Sequence, residues 1–246
     1  MKLSVIMPVY NEVATIEEII RRVRAVPLQL SVGYGDGDRR VVVLEREVVV
    51  VDDGSTDGTR DVLRALEGTP ELVIVFHERN QGKGGAVRTA LQHASGDIFV
   101  IQDADLEYDP RDYLMLLLPI LEQRSQVVYG SRFRGGPTKA MFFWHMVGNR
   151  FLTFVTNVLY DTILTDMETG YKMFVRQVAE KLDLTEKRWG FDPEITAQIL
   201  RRGYRIYEVP ISYTGREFAE GKKISWWDAF VVLRTLLRCR FQRLRE

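Results

Sequence analysis

Asp103 and Asp105 stand two residues apart, where the apolar run Ile98-Phe99-Val100-Ile101 gives way to charge. Two carboxylates held that close repel each other unless a cation lies between them. A divalent ion there would bridge the protein to a diphosphate. Glu107 continues the spacing, and Asp103, Asp105 and Glu107 form an all-oxygen ligand set that favours Mg2+ or Mn2+ over zinc. Three other stretches carry chemistry. In Pro8-Val9-Tyr10-Asn11-Glu12, Tyr10 can stack on a flat base, and Glu12 can accept from a base or ribose donor. In Asp52-Asp53-Gly54-Ser55-Thr56-Asp57-Gly58-Thr59, an Asp just past a buried strand can accept an N–H from a base edge, and the glycines allow close approach. In Asn80-Gln81-Gly82-Lys83-Gly84-Gly85, backbone N–H groups and Lys83 suit an anion at a helix N-terminus. That stretch lacks the spacing of a P-loop, which argues against an ATPase.

Taken singly, each stretch has a plain structural reading. Asp-Gly-Ser-Thr clusters are commonly turns, Asp-x-Asp pairs are frequent, and glycine loops join strands to helices without binding anything. Their joint placement carries the argument, because all four follow predicted strands on one edge of a sheet, where open α/β folds bind ligands. Leu3 to Val9, Val48 to Val51, Leu72 to Phe76, the run ending at Asp103, and Val127 to Tyr129 read as strands. Helices are predicted between them: Ala14 to Val26, with Ile16, Ile19, Ile20 and Val23 at helical spacing; a helix capped by Thr56 or Asp57 and running to Leu66; one opened by the glycine loop and reaching Ala94; and one begun by Asp109-Pro110 and ending at Leu121. The alternation predicts an α/β fold with a mostly parallel central sheet and helices on both faces.

Two regions interrupt it. Leu30 to Arg46 holds the turn cluster Gly33 to Asp38 between two apolar runs and predicts an added β-hairpin. Ala140 to Leu164 is rich in aromatics, but His145, Asn149, Arg150 and Asp161 break it, so no membrane span is expected. The chain has 246 residues, 46% hydrophobic and 28% charged, enough for an ordinary core. Lys+Arg and Asp+Glu are both 34, and this zero balance argues against a general nucleic-acid binder. The single Cys239 excludes an intrachain disulfide and suits a reducing, cytoplasmic compartment. The start of the chain does not read as a signal peptide.

Pro8-Val9-Tyr10-Asn11-Glu12, Val51-Asp52-Asp53-Gly54-Ser55 and Asp103-Ala104-Asp105 resemble the successive signatures of glycosyltransferase family 2. The later segments Gly130-Ser131-Arg132-Phe133, Asp166-Met167-Glu168-Thr169-Gly170-Tyr171-Lys172, Phe191-Asp192-Pro193-Glu194, Glu208-Val209-Pro210-Ile211 and Gly221-Lys222-Lys223-Ile224 resemble its dolichyl-phosphate mannose synthase-like branch. The resemblance runs in order along nearly the whole chain. It implies a GT-A fold, a nucleotide-diphosphate-sugar donor of the GDP-mannose or UDP-glucose type, a divalent metal, and inversion at the anomeric carbon. One domain is expected over 1–246, with a nucleotide-sugar half at 1–130, an acceptor half at 131–223 and an amphipathic C-terminal helix at 224–246. By position, Pro8, Tyr10, Glu12, Val51 and Asp53 would hold the nucleoside. The stretch Asp103-Ala104-Asp105 would hold ribose, diphosphate and metal, and Glu107 would be a further metal ligand. Lys83, Arg132, Arg216 and Lys223 would meet phosphates, for which arginine's planar fork is suited. The hairpin departs from the family's compact connection, and Glu220-Gly221-Lys222-Lys223 replaces a Gly-x-Ser-Lys form.

The expected chemistry is departure of a nucleoside diphosphate, with metal at Asp105 and the cations of Arg132 and Lys223 stabilising its charge. A polyprenyl phosphate acceptor is already anionic and needs no base. A hydroxyl acceptor, on a soluble sugar or glycolipid, needs one, and Asp166 is the candidate; the plain alternative for Asp166 is to cap the turn before Thr169-Gly170. Trp226, Phe230, Leu233, Leu237 and Leu244 share one helical face, with Arg234, Arg238 and Arg245 on a neighbouring one. Such a helix can lie on an anionic membrane or pack on the core, and peripheral contact at the cytoplasmic face of a membrane is the expectation. A nucleotide-sugar-binding scaffold without turnover is the third reading. It leaves the acidic pair without a purpose.

Overall fold

The computed structural model describes residues 1–33, 37–139, 142–188, 190–215 and 226–243. Strand β1 (Lys2–Val9) lies inside the sheet, parallel to β4 (Glu45–Asp52) on one side and to β6 (Ile98–Ile101) on the other. Its residues are almost wholly buried, as expected for a parallel strand covered on both faces. Beyond β4 comes β5 (Leu72–Phe76), also parallel. The sheet continues past β6 through β8 (Lys172–Val175), which runs antiparallel both to β6 and to β7 (Val127–Ser131), and ends at β9 (Ile206–Pro210), parallel to β7. Neither β8 nor β9 is named among the strands read from the sequence. The antiparallel β8 matters most for the site. Its amino end points to the edge where its neighbours have their carboxyl ends, so the segment leading into it lands between the loops after β6 and β7.

Helices cover both faces. On one, α1 (Ile16–Ala25) buries Ile16, Ile19, Ile20 and Val23, and α4 (Tyr113–Leu121) adds Leu116, Leu117 and Ile120. On the other, α3 (Lys83–His93) and α7 (Phe191–Arg201) enclose Ala86, Val87, Ala90, Phe99, Phe191 and Ile195. Between β4 and β5 in the chain lies α2 (Thr59–Ala65), whose first N–H is taken by Asp57 Oδ1 at 3.0 Å, while Gly58 occupies the N-cap position. Asp109 accepts from Arg111 N–H and starts a single 3-10 turn, Pro110–Asp112, ahead of α4. The added hairpin is present as β2 (Gln29–Gly33) and β3 (Arg39–Val43), with Leu30 and Val32 turned into the core; the tip, 34–36, lies outside the described residues.

Residues Phe143–Tyr160 form α5, and Trp226–Phe241 form α8, beyond the short α6 (Arg176–Ala179). Both helices pack through a small cluster of Leu152, Met167, Val232 and Leu236. Among the described residues, no helix is long and apolar enough to cross a membrane.

Glycines set how closely α3 approaches its surroundings. A Cβ on Gly84 would stand 2.0 Å from the Glu186 carbonyl oxygen, and one on Gly82, where φ is +84°, would stand 2.1 Å from that of Lys187. Backbone cannot yield as a side chain can, so Gly84→Ala is expected to lower stability by about 1–3 kcal/mol. Gly148, inside α5, has open space around its Cβ position. There, Gly148→Ala is expected to raise stability by up to about 1 kcal/mol. Urea midpoints at unchanged slope check both, and equal effects at the two positions would contradict the packing argument.

Candidate active site

The loops after β1 and β4 are laced together. Asn11, with φ of +55°, accepts from Thr56 N–H at 2.8 Å and donates its own N–H to Ser55 Oγ at 3.0 Å. Glu12 N–H reaches Thr59 Oγ1 at 2.9 Å, and Val13 N–H reaches Asp57 at 3.1 Å. Pro8 and Val51 are register partners in the sheet and are buried, forming floor; Tyr10 stays half exposed above them. Glu12 turns its carboxylate to Thr15 Oγ1 at 2.8 Å.

Asp53 is 2% exposed, and both its oxygens face inward. Oδ1 takes the Gln81 N–H at 2.8 Å and lies 2.8 Å from His77 Nδ1, while Oδ2 takes the Gly82 N–H at 2.7 Å. The glycine loop therefore does cradle an anion, but that anion is the protein's own Asp53. The Gly84 N–H is also spent internally, on the Lys187 carbonyl. This corrects the sequence reading of the loop's amides as ready for a ligand: a strand-end carboxylate within reach costs less to bind than an outside one, because it is already held in place.

Lys83 leaves the same loop and reaches across to Asp103, with Nζ 2.7 and 3.0 Å from the two carboxylate oxygens, and 4.0 Å from Asp192. Burial alone would lower the lysine's pKa, but Asp103 and Asp192 outweigh it and hold the ammonium charged. Lys172, fully buried at the start of β8, donates to Asp192 at 2.5 Å and to the Thr169 carbonyl. Asp192, at the start of α7, is held below the ordinary carboxylate range: burial opposes this, and Lys172 and Lys83 prevail. Asp103, Lys83, Asp192 and Lys172 thus form one continuous charged chain.

Beneath Asp103, Gln102 Oε1 accepts from Tyr113 and Tyr171 hydroxyls at 2.5 and 2.7 Å. Tyr108 stacks beside Tyr171 and Tyr213, and accepts the Gly170 N–H at 2.9 Å. These rings form a stiff base for the acidic stretch. Asp105 Oδ1 accepts Glu107 N–H at 3.1 Å, and the Glu107 carboxylate accepts from Tyr213 OH at 2.9 Å. Among the described residues, no three His, Cys, Asp or Glu side chains are gathered as a ready metal cage. The donors are nonetheless all oxygen, and a cationic group, the Lys83 ammonium, already lies against Asp103. A hard divalent ion fits that chemistry, with its shell completed by ligand oxygens and water.

A second charged assembly stands after β7. Arg132 grips Asp166 with Nε and Nη2, each at 2.7 Å, and donates its backbone N–H to the same carboxylate at 3.1 Å. Asn149, from α5, adds a fourth donor at 3.0 Å. Asp166 is wholly buried, and its lone pairs go to Arg132 and Asn149 rather than to capping the turn at Thr169-Gly170. Glu208 of β9 fixes the backbone N–H groups of Thr165 and Asp166 at 2.9 and 3.1 Å. The Arg132 guanidinium also lies 5.2 Å over the Tyr213 ring, and its side chain keeps 11% exposure. Burial would lower its pKa, but Asp166 keeps it charged and raises it.

Of the residues marked in the sequence, Lys83, Asp103, Ala104, Asp105, Glu107, Arg132 and Asp166 come together along the strand ends after β6 and β7. Pro8, Tyr10, Glu12, Val51 and Asp53 gather after β1 and β4. Arg216, Lys222 and Lys223 lie outside the described residues. His77, Asn149, Lys172, Glu208 and Asp192 were given no role from sequence. Lys172 lies in the segment Asp166 to Lys172 and Asp192 in Phe191 to Glu194, but it takes the reversed β8 to bring Lys172, and the start of α7 to bring Asp192, to the Lys83 cluster.

The same fold occurs in solved proteins. Glucosyl-3-phosphoglycerate synthase from Mycobacterium tuberculosis superposes with a TM-score of 0.71 at 23% identity, over 97% of this chain and 80% of that one, which defines the fold as GT-A. That synthase has also been solved in complex with Mn2+, UDP and phosphoglyceric acid, at a TM-score of 0.68 and 22% identity, over 98% of this chain and 78% of that one. Residues 4–183 match the model of glycosyl transferase family 2, and the chain belongs to that family. Its relatives include a dolichol-phosphate mannosyltransferase of Pyrococcus furiosus, 29% identical over 227 residues, covering 90% of this chain and 59% of that protein. A UDP-N-acetylglucosamine–dolichyl-phosphate N-acetylglucosaminyltransferase of Methanococcus voltae is 28% identical over 240 residues, 89% of each. The chain spans 59% and 63% of the lengths of the Pyrococcus protein and of glycosyltransferase AglJ of Haloferax volcanii.

Proposed function

We propose that this chain transfers a hexose from a nucleotide-diphosphate sugar, of the GDP-mannose or UDP-glucose type, to a polyprenyl phosphate at a membrane surface. Family membership and the names of its relatives support the class of reaction. The observation that carries the acceptor is where Arg132 sits. On one side is the Asp103–Lys83 cluster, suited to a diphosphate. On the other is α5, whose Asn149 touches Asp166 and whose outer face is bare and apolar. Trp144, Val147, Phe151, Phe154 and Val158 recur at three- and four-residue intervals, and Trp144, Phe154 and Val158 are 68%, 64% and 67% exposed. A stripe of that kind is what a helix lying in a lipid interface presents.

The C-terminal helix contributes differently from its sequence reading. Its packed face is Val232, Thr235, Leu236 and Cys239; Phe230, Leu237 and Phe241 are left outside; and Arg238 turns inward to Glu186 and Glu194 at 2.9 and 3.1 Å. The buried Glu194 and the partly buried Glu186 outcompete solvent for that guanidinium. Trp226's side chain, Leu244 and Arg245 lie outside the described residues.

A lipid phosphate arriving along α5 would meet the remaining Nη of Arg132, since the other donors of the fork serve Asp166. Such an acceptor brings its own negative charge. It needs no base, and Asp166, saturated with donors, is free of that duty. Attack opposite the departing diphosphate inverts the anomeric carbon. Mg2+ or Mn2+, held by Asp103 and Asp105 with Glu107 as the third oxygen donor of the stretch, would supply Lewis-acid charge for the leaving group. Tyr10 and Glu12, over the Pro8–Val51 floor, would hold the nucleoside, with Asp53 shaping the loop behind it.

The test is nucleotide release from GDP- and UDP-hexoses with Mn2+, using a short polyprenyl phosphate in anionic vesicles, with protein sedimentation measured beside it. Turnover that requires the lipid phosphate, from protein that pellets with the vesicles, is the expected result. Equal turnover onto a water-soluble sugar, without vesicle binding, would replace the acceptor. Absence of metal-dependent release from every donor would overturn the transferase reading.

A further inference from the structure

We propose that Glu168 binds a hydroxyl of the transferred hexose; this rests on the reading of the site as one for a nucleotide sugar. Topology places the residue. The antiparallel β8 delivers the segment before it, Asp166 to Tyr171, into the gap between the loops after β6 and β7. Gly170 lies so close to Asp103 that a Cβ there would stand 2.5 Å from Oδ2. At the other end of the segment, Asp166 is clasped by Arg132. Glu168 therefore lies between the group assigned to the diphosphate and the group assigned to the acceptor. The sugar, whose anomeric carbon is bonded to one and attacked by the other, must pass through the same space.

The Glu168 Oε1 is closed off from solvent and meets no hydrogen-bond donor. An orphaned buried carboxyl oxygen costs stability and persists where a ligand satisfies it. Asp192, Lys172, Arg132 and Asp166 act on it electrostatically, yet the two cations are otherwise engaged, Lys172 with Asp192 and Arg132 with Asp166. Burial, with Asp192 alongside, pushes the Glu168 carboxyl up to about 8. At neutral pH it then carries a proton and offers one donor and one acceptor side by side. A sugar hydroxyl, itself both donor and acceptor, matches that pair. Phosphate does not, because the neighbourhood already holds Asp166 and Asp192.

The experiment is a cycle of protein and substrate changes. Wild type, Glu168→Gln and Glu168→Asp are compared on the parent nucleotide hexose and on its single deoxy analogues, reading kcat/KM by released nucleotide. One hydroxyl position is expected to matter most, with its removal lowering wild-type kcat/KM about 10- to 100-fold. Glu168→Asp, which draws the carboxyl back, should cause a similar loss on the parent sugar and make that same deoxygenation nearly harmless, less than about threefold. Glu168→Gln keeps a donor and an acceptor, and should retain more activity than Glu168→Asp. Losses that multiply at every position would show no coupling and overturn the assignment of Glu168, leaving the transferase reading intact. A wild type that releases nucleotide from no nucleotide hexose would overturn both. The deoxy series on wild type alone already reports whether a hydroxyl is held, so a variant that folds poorly does not shelter the proposal.

Discussion

Arg132→Ala is expected to lower folding stability by about 3–5 kcal/mol, the range for breaking a buried ion pair by removing one partner. Asp166 has no solvent to turn to, being wholly buried, and would keep only Asn149 and a backbone N–H against its full charge. The lost contact with Tyr213 adds to the cost. The measurement is the urea midpoint at unchanged slope. Adding Asp166→Asn to Arg132→Ala should recover part of the loss, because it removes the stranded charge. If the double variant were as unstable as the sum of its parts, the ion pair would not be the cause. Activity should fall as well, by about 10- to 100-fold and chiefly through KM for the lipid phosphate, the scale for losing a hydrogen bond to a charged group. Arg132→Lys should rescue stability better than activity, since an ammonium can meet Asp166 but cannot reproduce the fork that spans Asp166 and a phosphate.

Asp103→Asn is expected to act the other way round, with large loss of turnover and small loss of stability. Asp103 retains about a fifth of its exposure, at 21%, and Lys83 would still have Asp192 at 4.0 Å. The destabilisation should stay within about 1 kcal/mol, as for partly exposed pairs. Nucleotide release, by contrast, should drop about 100- to 1000-fold, and the Mn2+ concentration for half-maximal rate should rise. Asp105→Asn should show the same pattern. A variant of either residue with unchanged metal dependence would remove that carboxylate from the metal set. A lysine this close also predicts a diagnostic split: released from Asp103 and left with Asp192 at 4.0 Å, the Lys83 ammonium of Asp103→Asn would bind the donor's diphosphate more readily, so KM should rise less than kcat falls.

Much of this site is written locally. Asp103-Ala104-Asp105 follows a four-residue apolar strand, and a strand end is a local property that pattern alone reveals. The same holds for Tyr10 and Glu12 after β1 and for Asp53 after β4. The hairpin read over Leu30 to Arg46, and found as Gln29–Gly33 and Arg39–Val43, was also legible, because a cluster of glycines and aspartates between apolar runs has few other conformations to adopt. What these residues do with their polar atoms was less legible. Asp53 reads in sequence as a base-binding carboxylate. In the folded chain its oxygens hold the loop twenty-eight positions onward, a pairing that depends on β4 and β5 lying side by side.

The amino-acid sequence by itself determined the fold class, the edge of the sheet where the candidate residues gather, and the family, because each follows from short-range periodicity and from motifs in a particular order. Tertiary structure alone decided which charges meet. Lys83 to Asp103, Lys172 to Asp192 and Arg132 to Asp166 join residues 20, 20 and 34 positions apart. The last two meet because β8 enters the sheet in reverse and carries Lys172 and the segment before it to the strand-end edge, and the first because the start of α3 and the end of β6 lie at that same edge. The strength of an ion pair falls with distance and rises with burial, and neither quantity is fixed until the chain has folded. The orphaned oxygen of Glu168 belongs to the same class of fact: a glutamate in a motif is only a residue type, and it becomes an unsatisfied group when every donor around it has been claimed.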